Sequence, residues 1–370
     1  MRFLLLCKRY YTNHDLLEDR FGRLFHLPVQ LARQGHRGRV LAADYRHATA
    51  RHLSLPGVEF QALPVNARRL PGFVRRLGRE ARAFGPDLVL ASGDSYLGFL
   101  GLRLARRLGV PFAFDLYDDY AGFRSGRIPG MGGLLRYTLR RADLLITASH
   151  ALGARYRRLN PALVTVENGV DLALFRPMPR AGARAALGLP GDIPVVGFFG
   201  SMEPGRGLDT LLAALARLRT RQPELRLLLA GYDAIGLPPD QPGIDYRGVL
   251  PQARIPELIN ACDVVTIPYP DNGLWRVCNP CKIAEYLACE VPVVATRVAD
   301  HEKIFADAGQ GLCRPEDPAD MARAIQAQLQ SPQRVAMDGR LSWEHLGERL
   351  AGALAGLSRA GAASTALESR

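Results

Sequence analysis

Short apolar runs alternate with segments of helical period from one end of the chain to the other. In the first half, strands are expected at 3–6, 39–42, 58–63, 88–91, 112–115 and 144–147. Between them the apolar positions recur at three to four residues, predicting helices at 24–33, 73–84, 96–108 and 134–141. A second series starts at Pro194-Val-Val-Gly-Phe-Phe and continues with strands at 225–230, 264–268 and 292–296. Strand–helix alternation of this kind predicts an α/β protein built on parallel sheets. The prolines of Phe175-Arg-Pro-Met-Pro interrupt regular structure, so a linker is expected at 174–190. The expected organisation is a first domain at 1–173, a second at 191–341, a last helix at 342–358 and a fraying tail at 359–370. A length of 370 residues suits two cores better than one. No period of 20–50 residues repeats, which excludes a solenoid.

Composition narrows the class. Apolar residues make up 48% of the chain, yet no apolar run approaches a membrane span of roughly eighteen residues. The run 3–7 is too short for a signal-peptide core, and six scattered cysteines make no disulfide framework, so a cytoplasmic setting is expected. The net charge of +12 is lopsided: residues 1–180 hold 29 basic against 14 acidic side chains, the remainder 19 against 22. A basic first half suggests an anionic partner. Only three of the 48 basic residues are lysines, which also fits a genomic composition bias.

Two segments of the second series have the chemistry of anion sites. After the strand ending at Phe199 comes Gly200-Ser201-Met-Glu-Pro-Gly205-Arg206-Gly207, whose glycines let backbone approach a ligand. Arg206 adds a permanent charge suited to phosphate oxygens; a common strand-to-helix turn is the plain alternative. The second segment is Cys278-Asn279-Pro280-Cys281-Lys282-Ile-Ala-Glu285. Asn279 is expected to cap a helix that starts at Pro280, with Lys282 and Glu285 on one face. A basic first turn opposes the helix dipole unless an anion sits there. An exposed surface pair is again the alternative.

From Asn168 onward the order of motifs resembles that of family-four retaining glycosyltransferases of the GT-B fold. Asn168-Gly-Val-Asp171 with Phe175 and Pro177, Gly200…Arg206-Gly207, Leu229-Ala-Gly231, Arg247-Gly248, and Lys282…Glu285-Tyr-Leu-Ala-Cys-Glu-Val-Pro-Val-Val-Ala-Thr296 carry the likeness. Phe21-Gly22-Arg23, Gly35-His36 and Ser342-Trp343-Glu344 extend it over nearly the whole chain. The resemblance implies two Rossmann-like domains facing a central cleft, with the last helix crossing back to the first. It implies transfer of a sugar from a nucleoside-diphosphate sugar, with retention and without a metal. The donor would be held by Gly200, Ser201, Arg206, Gly207, Asn279, Pro280, Cys281, Lys282 and Glu285, the last on the ribose. Polysaccharide or glycolipid synthesis is the setting it suggests.

The sequence departs from that family in three places. Ser201 stands where an arginine is usual. Val277 stands where the first of two glutamates would lie, leaving Asp271, Asn272, Arg276 or Asn279 as substitutes. Tyr117 replaces a histidine near the reaction centre, in Phe114-Asp115-Leu-Tyr117-Asp118-Asp119. Tyr117, Asp118 and Asp119 are therefore the catalytic candidates, because carboxylates crowded at a strand end are costly and often functional. A polar loop pairing with Arg124 or Arg127 is the alternative. Gly22, Arg23 and Asp94 are expected on the acceptor side.

Other readings stay open. Cys278-x-x-Cys281 could be a redox pair, but lacks thioredoxin-like surroundings. No zinc spacing exists. The stretch from Arg68 to Phe84 is a basic amphipathic helix that packs on its own sheet or touches an anionic membrane at the inner face of the cell. No recognition module or stacking platform supports nucleic acid. Alternatives to the transferase are a nucleotide-sugar epimerase, a phosphorylase-like protein, or a basic membrane- or nucleic-acid-binding protein without chemistry.

Overall fold

The computed structural model describes residues 1–11, 14–66, 68–123, 128–237 and 241–368, with side chains as far as 357. It divides into two compact units, residues 1–169 with 343–370, and residues 170–342.

The first unit holds β1 (Arg2–Lys8), β2 (Arg37–Asp44), β3 (Arg51–Leu55), β4 (Val58–Pro64), β5 (Leu88–Ser92), β6 (Phe112–Leu116), β7 (Leu144–Thr147) and β8 (Leu163–Thr165). Its helices are α1 (Arg23–Arg33), α2 (Leu70–Phe84), α3 (Ser95–Leu108), α4 (Met131–Arg141) and α5 (His150–Tyr156). The sheet runs β8-β7-β6-β5-β1-β2-β4-β3 and is parallel throughout except for β3, antiparallel to β4 at the edge. The central strands read as nearly unbroken apolar runs because helices cover both faces of a parallel sheet. Leu4, Leu6, Val89, Phe114 and Leu145 are fully buried as a result.

The second unit holds β9 (Val195–Phe199), β10 (Arg226–Ala230), β11 (Ile244–Tyr246), β12 (Val264–Ile267), β13 (Val293–Thr296) and β14 (Leu312–Cys313). Around them lie α6 (Arg180–Leu187), α7 (Leu208–Arg219), α8 (Ile255–Ala261), α9 (Lys282–Ala288), α10 (His301–Ile304) and α11 (Pro318–Gln330). The strand order is β11-β10-β9-β12-β13-β14, all parallel. The winding reverses between β9 and β12, and doubly wound sheets bind ligands at the carboxyl ends of the strands flanking such a reversal. In the first unit the same reversal falls between β1 and β5.

The segment expected as a linker contains α6, whose Ala183 and Leu187 join the core of the second unit along with Phe175. The last helix, α12 (Trp343–Glu368), runs on past the expected end near 358. It belongs to the first unit and packs on α1. The Trp343 ring stacks on His26 at 5.0 Å, and Leu346 is fully buried in the same cluster. Leu346→Ala should lower stability by about 2–5 kcal/mol, through lost burial and a residual cavity. Glu348→Ala, exposed on the same helix, should change it by less than about 0.5 kcal/mol. Denaturant unfolding of the two variants checks this; equal effects would mean that α12 does not hold the first core.

Candidate active site

At the winding reversal of the second unit, β9 ends in the glycine loop 200–207 and β12 ends at Ile267, ahead of Pro268 and Tyr269. The two ends are in van der Waals contact: a Cβ on Gly207 would fall 1.7 Å from the Pro268 carbonyl oxygen, and Gly207 holds φ 77°. Only glycine fits there. Trp275 donates its indole N–H to the Gly205 carbonyl at 2.9 Å, and its ring stacks on Tyr269 at 3.8 Å. The loop is thus pinned from below by a tryptophan that the sequence reading passes over. Thr296 secures Tyr269 in turn, its hydroxyl donating to the Tyr269 carbonyl at 2.7 Å.

Lys282 is the centre of this arrangement. Its side chain runs under Gly200, where a Cβ would lie 3.3 Å from Nζ. The ammonium rests over the Phe198 ring at 4.0 Å and the Tyr269 ring at 5.4 Å. Lys282 is only 7% exposed, and among the described residues Nζ has no hydrogen-bond partner. Ser201 Oγ, on the same loop, is also buried without one. A buried ammonium that rests on ring faces and has no hydrogen-bond partner among the described residues is expensive. Burial, with Arg206 adding to it, pushes Lys282 down to about 7. Glu285, one turn on, is half-buried and pushed up to about 7 by desolvation, against the opposing pull of Lys282.

Arg206 completes a stack. Its guanidinium lies over Trp275 at 5.4 Å, so the order is Arg206, Trp275, Tyr269, Lys282. Arg206 is spoken for, with Nε and Nη2 donating to Glu203 Oε2 at 2.9 and 2.7 Å. The expected cap differs in detail. α9 begins at Lys282 rather than Pro280, with Cys281 at the cap and no side-chain cap bond. The reason is local: Ile283 N bonds the Pro280 carbonyl at 3.1 Å, so a turn from Pro280 precedes the helix and Asn279 lies before it. Of the substitutes for the missing glutamate, Asp271 and Arg276 pair with each other at 2.6 Å. Asn272 caps its own turn, accepting from Leu274 N and Trp275 N at 3.1 Å. Val277 and Asn279 are buried.

In the first unit the predicted residues separate. Arg23, expected on the acceptor side, is 1% exposed and forks onto Asp115 at 3.0 and 2.7 Å. Its remaining nitrogen donates to the Val166 carbonyl and Asn168 Oδ1 at 3.0 and 3.2 Å. Gly22 starts α1 at φ 70°, against the Tyr11 ring. Asp119, expected to be catalytic, is held by Arg155 at 2.5 Å and by the Tyr156 hydroxyl at 2.6 Å, which leaves it 4% exposed. Of the supposed crowd of carboxylates, Asp115 and Asp119 are thus paired separately, with Arg23 and Arg155. The alternative partners Arg124 and Arg127 lie outside the described residues.

Asp94 does sit at the winding reversal of this unit, ion-paired with Lys8 at the end of β1. Tyr117 is half-buried beside it, its ring edge-on to Tyr11 at 5.1 Å and to Tyr120 at 5.5 Å. Asp118 accepts from Asp119 N at 2.8 Å and is half-buried. Among the described residues no cluster of three His, Cys, Asp or Glu could hold a metal, and no helix is long and apolar enough to cross a membrane.

Residues 23–174 match the model of Glycosyltransferase Family 4, and residues 193–331 match that of Glycosyl transferases group 1. Both halves of the chain are glycosyltransferase domains. A D-inositol 3-phosphate glycosyltransferase of Segniliparus rotundus is 31% identical over 301 residues, 72% of this chain and 65% of that protein. A GDP-mannose-dependent alpha-mannosyltransferase of Mycobacterium tuberculosis is 26% identical over 84% of both chains. The chain spans 65%, 46% and 52% of the length of three of the inositol-phosphate relatives it matches. Among solved structures, Anabaena HepE in complex with UDP and glucose superposes with a TM-score of 0.72 at 20% identity, covering 96% of this chain and all of that one. Sucrose-phosphate synthase from Thermosynechococcus elongatus gives 0.71 at 20%, covering 100% and 98%. The fold is GT-B.

In the second unit, sequence reasoning singles out the loop, Arg206, Lys282 and Glu285 and passes over Phe198, Glu203, Tyr269 and Trp275, which the structure packs around Lys282 and Arg206. A signal for Trp275 was available, since the chain has only two tryptophans and this one stands between the two anion motifs. The buried pair gives a pH signature. Lys282 falls from 10.5 to about 7, so the native state binds fewer protons than the unfolded one across that window and stability rises with pH through it. Glu285 rises from 4.5 to about 7, so stability falls as pH climbs through that lower window. The unliganded protein should therefore melt higher at about pH 9 than at about pH 7, and Lys282→Met should lose this alkaline gain. A wild-type melting temperature that does not rise between these two conditions would contradict the burial of a charged Lys282.

Proposed function

We propose that the chain is a glycosyltransferase that takes a sugar from a nucleoside-diphosphate sugar and passes it, with retention, to a hydroxyl acceptor. One observation carries the reading: the nine-tenths-buried Lys282 ammonium, without a hydrogen-bond partner among the described residues, aimed under Gly200 at the winding reversal of the second unit. An anionic phosphate there completes the ammonium, Ser201 Oγ and the loop backbone together. Arg206 turns from Glu203 to the diphosphate, and Gly207, Asn279, Pro280 and Cys281 line the same loop pair. Glu285 takes the ribose hydroxyls. The bond from the anomeric carbon to the leaving phosphate breaks as charge grows on that phosphate, where Lys282 already stands and Arg206 has turned to join it. Preorganised charges of this kind are often the largest catalytic contribution. No metal has a role in this reading.

The printed names of the relatives, a GDP-mannose-dependent transferase and inositol-phosphate glycosyltransferases, support a nucleotide-sugar donor, as does the UDP in the HepE complex. Tyr117 and Asp118 are the groups nearest in kind to an acceptor-side catalytic pair, with Asp94, Lys8 and Gly22 around them. Asp119 acts as a positioning residue that holds their turn to α5. We place the protein in the cytoplasm, in peripheral contact with the membrane, in glycolipid or polysaccharide synthesis. A second reading, a donor-binding protein with little transfer, is favoured by Val277 in place of a carboxylate.

Thermal-shift titration with UDP, GDP, ADP and their sugars tests the donor site. At least one should raise the melting temperature, and Lys282→Met should weaken that ligand by about 10–150-fold, the worth of a hydrogen bond to a charge. No shift with any nucleotide would sink the enzyme reading. Stabilisation without nucleotide release from the sugar donor would favour the donor-binding protein. In the same titration Glu285→Ala should weaken binding while Val277→Ala barely changes it; equal effects would overturn the assignment of Glu285 to the ribose.

A further inference from the structure

α3 and α4 pack on each other in the first unit. Neither Ser95–Leu108 nor Met131–Arg141 contains a single Asp or Glu. Their outward faces instead carry Arg103, Arg106 and Arg107 on one helix and Arg136, Arg140 and Arg141 on the other, all exposed. On α3 these positions are spaced three and four apart and share a face; on α4, Arg136 and Arg140 do the same. The two rows meet where Arg106 Nη2 donates to the Arg141 carbonyl at 3.0 Å, and Arg106 also reaches Asp143 at 3.5 Å. A genomic bias explains arginine in place of lysine. It does not explain the removal of every acid from two adjacent helices. Like charges held this close repel, and an anionic surface relieves that repulsion.

The apolar side chains among the arginines decide what kind of surface. Tyr137 is 40% exposed on α4, with Arg141 over its ring at 4.2 Å, and Ile128, just ahead of that helix, is 57% exposed. A tyrosine and an isoleucine among long-stemmed arginines match the boundary between lipid headgroups and acyl chains. A single exposed tyrosine whose ring Arg141 already covers is a poor platform for stacking successive bases. The helix singled out by its sequence, α2, is less suited: its Glu80 is approached by Arg39, Arg76 and Arg79 at 3.7–3.9 Å.

We propose that the α3–α4 face docks the chain on a bilayer of anionic phospholipid. This stands apart from the donor reading, since none of its residues belongs to the donor site. Each arginine near such a surface contributes about fivefold in affinity. The full chain should sediment with vesicles of phosphatidylcholine mixed with phosphatidylglycerol, release as salt is raised, and ignore pure phosphatidylcholine. Replacing Arg107→Gln and Arg140→Gln together should weaken this by about 25-fold with the melting temperature unchanged. The matched pair Arg75→Gln and Arg79→Gln on α2 should cost far less. Equal binding to both vesicle types, an equal loss from the α2 pair, or tighter binding to duplex DNA than to the anionic vesicles would each overturn the proposal.

Discussion

The second unit is organised around a charge that its own fold does not neutralise. Lys282 is carried into the interior on α9, and that helix is tied to the end of β9 by the Tyr286 hydroxyl, which accepts from Phe199 N at 3.2 Å. The ammonium then meets ring faces and a glycine loop instead of a carboxylate. Ring quadrupoles attract a cation, at about 2 kcal/mol when it is desolvated, which lowers the cost of burial without cancelling it. Everything nearby follows from keeping that charge in place. Trp275 pins the loop, Tyr269 lies between the two cations, and Gly207 allows the loop to close on the Pro268 carbonyl. Glu203 meanwhile occupies Arg206, so the second cation stays solvated and ready while the first stays buried and unmatched.

The first unit shows the opposite strategy. Its buried charges are matched within the fold: Arg23 with Asp115, Asp119 with Arg155, and Arg9 with Asp15 and Asp44. A buried pair of this kind fixes geometry more than it adds stability, because desolvation offsets the Coulomb gain. Arg23 illustrates this, holding β6 to the Val166–Asn168 segment near the end of the first unit. What remains for a ligand at the winding reversal is Lys8 with Asp94, and a set of tyrosines whose hydroxyls favour neutral, hydroxyl-rich partners. Tyr45 and Tyr96 already bond each other there.

This contrast explains what was legible in the sequence. Period and apolar runs identify nearly every central strand and the helices α1 to α4 of the first unit, because burial on both faces of a parallel sheet leaves a direct imprint. The glycine loop, Arg206, Lys282 and Glu285 stood out because glycines and basic residues at a strand-to-helix turn leave a local signature in sequence. The start of α9 was misplaced for a local reason, the turn at Pro280, whereas the pairings of Arg23 and Asp119 were not legible at all. Sequence shows which charges exist, whereas pairing across 92 positions, as for Arg23 and Asp115, is a property of topology alone. Trp275 and Tyr269 escaped because aromatic residues in a loop look like ordinary core until a cation is found on either side of them. The arginine face of α3 and α4 was diluted in a count over the whole half-chain and emerges only when the two helices are placed side by side.

The central claim is that Lys282 waits, partly deprotonated, for an anionic phosphate. Calorimetric titration of the nucleoside diphosphate that binds, carried out near pH 8 in buffers of differing ionisation enthalpy, tests it directly. With Lys282 near 7 in the empty site, phosphate binding restores the ammonium. The account then predicts uptake of close to one proton per ligand, abolished in Lys282→Met. Binding with no proton exchanged, or with the same exchange in the variant, would contradict it.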